Sequence, residues 1–189
     1  MFELREVVLS EGALQLQPIT EAQLAPLVQL AVEQGQELAY MADADQPGWY
    51  ASALADQQAA RALVFAIFEA GELVGTTRFA DINATIPACE IGWTWLRQER
   101  HGTGLNQRIK FLMLSHAFEQ WGMRRVQLKT AAHNLRSQRA ITGLGAVREG
   151  VLRNHRRLAN GAIDDTVMFS ITDQEWPAVR AALLARLNP

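Results

Sequence analysis

Apolar and polar positions alternate in "ALQLQP", which predicts a first strand over 13–17. The period then lengthens. Leu24, Leu27, Val28, Ala31 and Val32 recur at helical intervals behind the capping residue Thr20, and Gly35 closes the run. "DADQPGWYASALADQQAARA" predicts a second helix with Pro47 near its start. "ALVFAIFEAGELVGTTRFADI" holds two β-rich runs around "EAGE", a hairpin signal, and "ACEIGWTWL" adds a strand over 88–96. The links between these three runs are too short for crossover helices, so they are expected to pair antiparallel.

The segment "RQERHGTGLNQRIKF", 97–111, sets Gly102 and Gly104 at the mouth of a helix over about 104–121. The polar wedge of that helix is confined to Arg108, Ser115 and Glu119, so most of its surface is predicted to be buried. Gly122 ends it, and "RRVQLKTA" reads as a strand. Strand, helix and strand form a βαβ unit, which makes strands 88–96 and 125–131 parallel neighbours. "NLRSQRAITGLGA" gives a short helix, and "VREGVLRNHRRL" and "DDTVMFSI" give two strands around the turn "ANGA". A last helix follows over 173–187, with Thr172 or Asp173 as its cap and Pro177 in its first turn. The 189 residues carry no repeat or linker, so one domain over 1–189 is expected, its core spanning about 13–172.

Bulk composition narrows the field. A net charge of -2 speaks against nucleic acid as a partner, although "RNHRR" supplies a local basic stretch. Cys89 is the only cysteine, so no internal disulfide forms, which fits a reducing compartment. No run approaches the roughly 18 apolar residues of a membrane span, and "MFELREVVLSEG" lacks a signal-peptide pattern, so a cytoplasmic location is expected. His101, His116, His133 and His155 show no metal-ligand spacing, and no metal is expected.

A helix start leaves backbone N–H groups without partners and carries a partial positive charge. Glycines before it let that backbone approach a ligand, which makes a phosphate cradle. The order of elements, with "EIGWTWL", "RHGTGLNQRIKFLMLSHAFEQWGMRRVQLKT", "NLRSQRAITGLGAVREGVLRN" and "DDTVMFSI", resembles the GCN5-related N-acetyltransferase (GNAT) family. The resemblance covers about 13–172 and is closest to the ribosomal-protein-acetylating, RimJ/RimL-like branch. It implies an α/β fold with a mixed, mostly antiparallel sheet of six to seven strands flanked by helices. Acetyl-CoA would lie where the two parallel central strands splay. The family's loop reads Q/R-x-x-G-x-G/A; here His101, Gly104 and Asn106 stand at its marked places, so two of the three depart from the pattern.

The resemblance implies an acyltransferase that passes an acetyl group from the thioester directly to a primary amine. The amine is a protein N-terminus or a small molecule, and monomer and homodimer both fit. The expected carrier contacts are Gly102, Thr103, Gly104, Leu105 and Asn106, with His101, Trp95 and Leu96 before them and Asn134 beyond. A lysine-like amine is neutral in roughly 1 of 2,500 molecules at pH 7, an α-amine in about 1 of 10, so a base is needed. Glu90 is the candidate base, or else a solvated strand-end carboxylate. Ser137 takes the place of the hydroxyl that protonates the departing thiolate in the resembling branch, or is a first-turn residue. The usual phenolic acid is missing, because the only tyrosines are Tyr40 and Tyr50. Asn134 either holds the pantetheine arm or caps the helix. Trp93 and Trp95 point to one side of their strand and line an acceptor pocket or pack the core; His155 faces substrate or solvent. Cys89 is a packing residue, since direct transfer needs no nucleophile of the enzyme. The alternative function is a catalytically weak acyl-CoA-binding sensor of the same fold.

Overall fold

The computed structural model describes residues 4–38, 40, 41 and 43–187. One eight-stranded sheet organises them, in the order β1-β2-β3-β4-β5-β6-β8-β7. The strands are β1 (Leu9–Glu11), β2 (Leu14–Pro18), β3 (Leu63–Glu69), β4 (Glu72–Asn83), β5 (Ala88–Leu96), β6 (Arg125–Ala131), β7 (Val147–Arg157) and β8 (Ile163–Thr172). The eighth strand, beyond the six to seven expected, is β1. Three residues are too few to show a period of two, and pairing of Leu9 to Leu16 across Gly12 supplies what the pattern does not.

Five α-helices cover the sheet: α1 (Glu21–Gln34), α2 (Pro47–Gln58), α3 (Leu105–Ser115), α4 (Leu135–Gly143) and α5 (Trp176–Leu187). A π-turn over His116–Gln120 extends α3. Thr20 and Gln23 close a capping box ahead of α1, and Pro47 starts α2, both where the sequence points. The last helix differs. Neither Thr172 nor Asp173 caps it; Thr172 is tied to the Glu175 carboxylate at 2.8 Å and the helix begins one residue later.

Strand β3 is apolar without alternation because both its faces are covered. Phe65 and Ile67 join Phe79, Ile109, Met113 and Leu183 in the core under α3 and α5. Val64 and Ala66 join Leu27, Leu30, Tyr50 and Ala53 under α1 and α2. His116 belongs to the packing: its ring lies 4.8 Å from that of Trp121. Cys89 is 1% exposed, and burial pushes its thiol up to about 12, which leaves it inert as a nucleophile.

The sheet is antiparallel except between β5 and β6, and that pair is brief. Only Ala88, Cys89 and Glu90 pair, with Arg125, Val126 and Gln127. Beyond Glu90, β5 follows β4 through a bulge at Trp93, whose φ is +50°, while β6 stays with β8 as far as Ala131. The two strands therefore part, and a slot opens between them.

Candidate active site

The slot widens into a cleft of about 580 Å³. Its walls come from β5, β6, the start of α3 and one face of α4. On the slot side β5 has no ladder partner after Glu90, so part of its backbone edge is unpaired there. Such an edge accepts an extended chain with amide groups by strand-like pairing.

Glu90 sits at the point of the split and is 1% exposed. Its Oε2 accepts from Lys129 Nζ at 2.8 Å and from Gln127 Nε2 at 3.0 Å. Gln127 pairs with Glu90 in the parallel register and Lys129 lies two residues on, on the same face, so strand geometry alone assembles this trio. Burial pushes the Glu90 carboxyl above its ordinary value, and the Lys129 ammonium opposes the rise. The solvated strand-end reading of Glu90 does not hold. Gly92 makes room for the carboxylate: a Cβ there would stand 2.7 Å from Glu90 Oε1.

Trp93 and Trp95 both lie toward the α1–α2 side and both line the cleft. The bulge is what turns them there. Regular alternation would have put them with Ile91, which packs under α3. Trp93 carries the Arg78 guanidinium at 4.2 Å and Lys129 Nζ at 5.3 Å over its ring. Trp95 is 5% exposed and packs among the α1 and α2 residues.

The other end of the cleft is the mouth of α3. Gly102 and Gly104 have φ of +75° and +86°, the left-handed region that glycine occupies without strain. Nothing stands within 4 Å of a Cβ built on either, so the glycines serve the backbone turn and an open face. Among the described residues, the N–H groups of Gly102, Thr103, Gly104 and Asn106 meet no backbone acceptor. That is the donor set a phosphate group needs, at a helix N-terminus. Leu105 contributes differently from its neighbours. Its side chain is 1% exposed in the core, and its N–H points at Thr103 Oγ1, 3.4 Å away. His101 Nε2 lies 3.1 Å from the Leu96 carbonyl and Nδ1 lies 3.3 Å from Arg136, so the ring clasps the end of β5 to α4. Leu96 itself is 6% exposed and meets the cleft at its margin.

Asn134 caps α4: its Oδ1 accepts from the Ser137 N–H at 3.0 Å. Both residues line the cleft. His155 is not brought in. Two extra residues on β7 between Leu152 and Arg156, with Asn154 at φ +50°, rotate the strand, and His155 Nδ1 contacts Thr166 Oγ1 at 3.1 Å instead. Arg156 takes its place in the cleft wall, with a buried Nε that has no hydrogen-bond partner.

Sequence reading passed over Lys110 and Lys129, and met Arg156 only as part of the basic stretch "RNHRR". Lys129 was legible in principle, through the register of β5 with β6. Lys110 stood out only as a single lysine in the apolar run "RIKFLML". It is 5% exposed, lines the cleft and donates to Thr94 Oγ1. Burial pushes its ammonium down to about 7. Among the described residues no group of three or more His, Cys, Asp or Glu could hold a metal ion, and no helix is long and apolar enough to cross a membrane.

A mixed sheet split at its single parallel pair, with a glycine-flanked helix mouth at the split, is the arrangement that the resemblance to the GNAT family implies. The family follows from comparison with known proteins. The profile of the acetyltransferase (GNAT) domain matches residues 13–147, and the chain belongs to that family. It is 28% identical over 109 residues to the ribosomal-protein-serine acetyltransferase of Escherichia coli (strain K12), covering 58% of this chain and 60% of that protein. The chain thus spans about 60% of the length of the curated relatives it matches. A crystal structure from T. thermophilus, provisionally assigned as an acetyltransferase, is 32% identical with a TM-score of 0.84, over 99% of this chain and 100% of that one. Mycobacterium smegmatis RimJ, solved with CoA-disulfide, shares the fold at 21% identity and a TM-score of 0.81, over 96% of this chain and 93% of that one.

Proposed function

We propose that this chain, as a single N-acetyltransferase domain, transfers the acetyl group of acetyl-CoA directly to a primary amine. The observation that carries the reading is the placing of Glu90, a buried carboxylate of raised pKa, at the closed end of a slot whose other end is a cradle of unpaired amides. The amides of Gly102, Thr103, Gly104 and Asn106 fit the phosphates, and the unpaired edge of β5 fits the amide-bearing arm. Acetyl-CoA supplies the activated thioester. Glu90 takes the proton of the attacking amine, and Lys129 and Gln127 hold its carboxylate in place. Trp93 and Trp95 exclude water from the acceptor side and so limit hydrolysis. Nδ2 of Asn134 remains to hold the carrier arm once Oδ1 has capped α4. Ser137 stands across the cleft as a hydroxyl donor.

The acceptor is a protein N-terminus or a small amine. The name of the Escherichia coli relative favours a ribosomal-protein terminus, an acceptor met in the cytoplasm. An α-amine is neutral in about 1 of 10 molecules at pH 7 and needs only a modest base. The test is release of free thiol from acetyl-CoA across a panel of N-terminal peptides, polyamines and amino acids. Turnover with at least one is expected. Tight acetyl-CoA binding with no turnover of any amine would leave the sensor reading instead.

A further inference from the structure

Lys110 is buried at a cost. Removing an ammonium from water is repaid by a close counter-ion, and Lys110 forms no ion pair among the described residues; its bond is to the Thr94 hydroxyl, which also lies 2.7 Å from that of Thr77. Glu90 is the carboxylate whose field reaches it. A leucine or methionine would pack that face of α3 better. Lys110 lines the same cleft as Glu90, as Gly102, Gly104 and Asn106 of the amide cradle, and as Asn134 and Ser137. Of the tyrosines, Tyr50 is fully buried and does not line the cleft, while Tyr40 lines it with its hydroxyl donating to the His133 carbonyl at 3.3 Å.

We propose that Lys110 is the acid of the reaction, its ammonium facing the carrier sulfur, stabilising it as a thiolate and giving it a proton as the carbon–sulfur bond breaks. The inference rests on the acetyl-transfer reading. The balance closes without a further reactant. The amine nitrogen forms the new bond to the carbonyl carbon and gives its proton to Glu90. The sulfur leaves with the electron pair of the broken bond and takes a proton from Lys110 Nζ. The proton on Glu90 then returns through water to Lys110, and both side chains are restored. The proton affinities lie within reach of one another: burial brings Lys110 down to about 7, so its ammonium can hold the bound sulfur as a thiolate and pass it the proton as coenzyme A leaves, because the free thiol, near 8.5, binds a proton more tightly. Ser137 becomes an auxiliary donor.

The test needs no acceptor. Coenzyme A bound to excess protein is titrated from about pH 6 to 9 by its thiolate absorbance. Desulfo-coenzyme A, which lacks the sulfur, reports affinity alone. In the wild type the bound thiol is expected to titrate at least about one unit below the free value near 8.5. Lys110→Met should return it to that value or above while desulfo-coenzyme A binds within about twofold of the wild type, as an effect confined to the sulfur requires. An unshifted thiol in the wild type overturns the inference without any variant. So does the same shift in Lys110→Met, or its loss in Tyr40→Phe with Lys110 intact. Failure of both carriers to bind overturns the acetyl-transfer reading along with it; binding without a thiol shift overturns this inference alone.

Discussion

Replacing Lys110 by methionine is expected to make the protein more stable at neutral pH and less active. Methionine fills nearly the same volume on an inward face of α3 that already holds Met113 and Leu114. The pH dependence follows from linkage. In the unfolded chain the lysine binds its proton up to about 10.5; in the folded protein it releases it near 7. Between those values the unfolded chain binds more protons, so wild-type stability rises with pH across that window. The full shift of about 3.5 units corresponds to roughly 5 kcal/mol, and about 4 kcal/mol of that applies at pH 7, where the folded group is half protonated. Methionine removes this cost but forfeits the bond to Thr94, worth about 1 kcal/mol. A net gain of about 3 kcal/mol at pH 7 should remain, or roughly 6–12 °C in Tm for a domain of this size. By pH 10 the gain should shrink to less than about 1 kcal/mol. Urea unfolding of both proteins at the two pH values measures this directly. A variant less stable than wild type at pH 7, or a difference that ignores pH, would refute the reasoning and mean that Lys110 keeps its proton through a partner or hydration.

Three further outcomes are expected. Gly104→Val places a β-branched residue at φ +86° and narrows the approach to the amide cradle, so acetyl-CoA affinity should fall at least about tenfold, while stability drops by about 1–2 kcal/mol; calorimetry giving unchanged affinity in a folded variant would count against the cradle. Glu90→Gln should lose about 100-fold or more in kcat near pH 7 and recover as pH rises and the amine deprotonates itself; in the wild type the acid limb of the profile should lie above the ordinary carboxylate range, because burial raises Glu90. Equal rates across that range would reduce Glu90 to a structural ion pair with Lys129. Gly92→Ala should displace the Glu90 carboxylate, since the added methyl would stand 2.7 Å from Oε1, and should lower kcat with little change in acetyl-CoA affinity; a normal pH profile would show that the carboxylate shifts freely.

Periodicity exposed most of the fold because most elements bury one side in regular fashion. β5 and β6 matched their expected residues, and their parallel pairing followed from the βαβ order. Where backbone irregularity decides the outcome, pattern is silent. The bulge at Trp93 carries no turn residue beyond Gly92, yet it moves both tryptophans to the α1–α2 side of the sheet. On β7 the irregular stretch between Leu152 and Arg156, with Asn154 at φ +50°, leaves Arg156 rather than His155 in the cleft. A period-two reading assigns faces correctly only while register is unbroken.

The site was legible where chemistry and strand order coincide, as at Glu90 and the glycine loop. It was least legible at α3, for a physical reason. A polar wedge drawn from Arg108, Ser115 and Glu119 sorts residues by where charge is usually solvated, and Lys110 breaks that rule by facing inward. The same burial that hides it from pattern reading moves its proton affinity toward that of a thiol. A tyrosine acid would need no such environment, because its phenol is neutral at pH 7 in water. A lysine acid does need it: at its ordinary pKa near 10.4 it would hold its proton too tightly to give it to a thiolate of pKa near 8.5. With Tyr40, the tyrosine of the cleft, held on the His133 carbonyl, an apolar setting around Lys110 meets that requirement, and the stability it costs is what the methionine variant should recover.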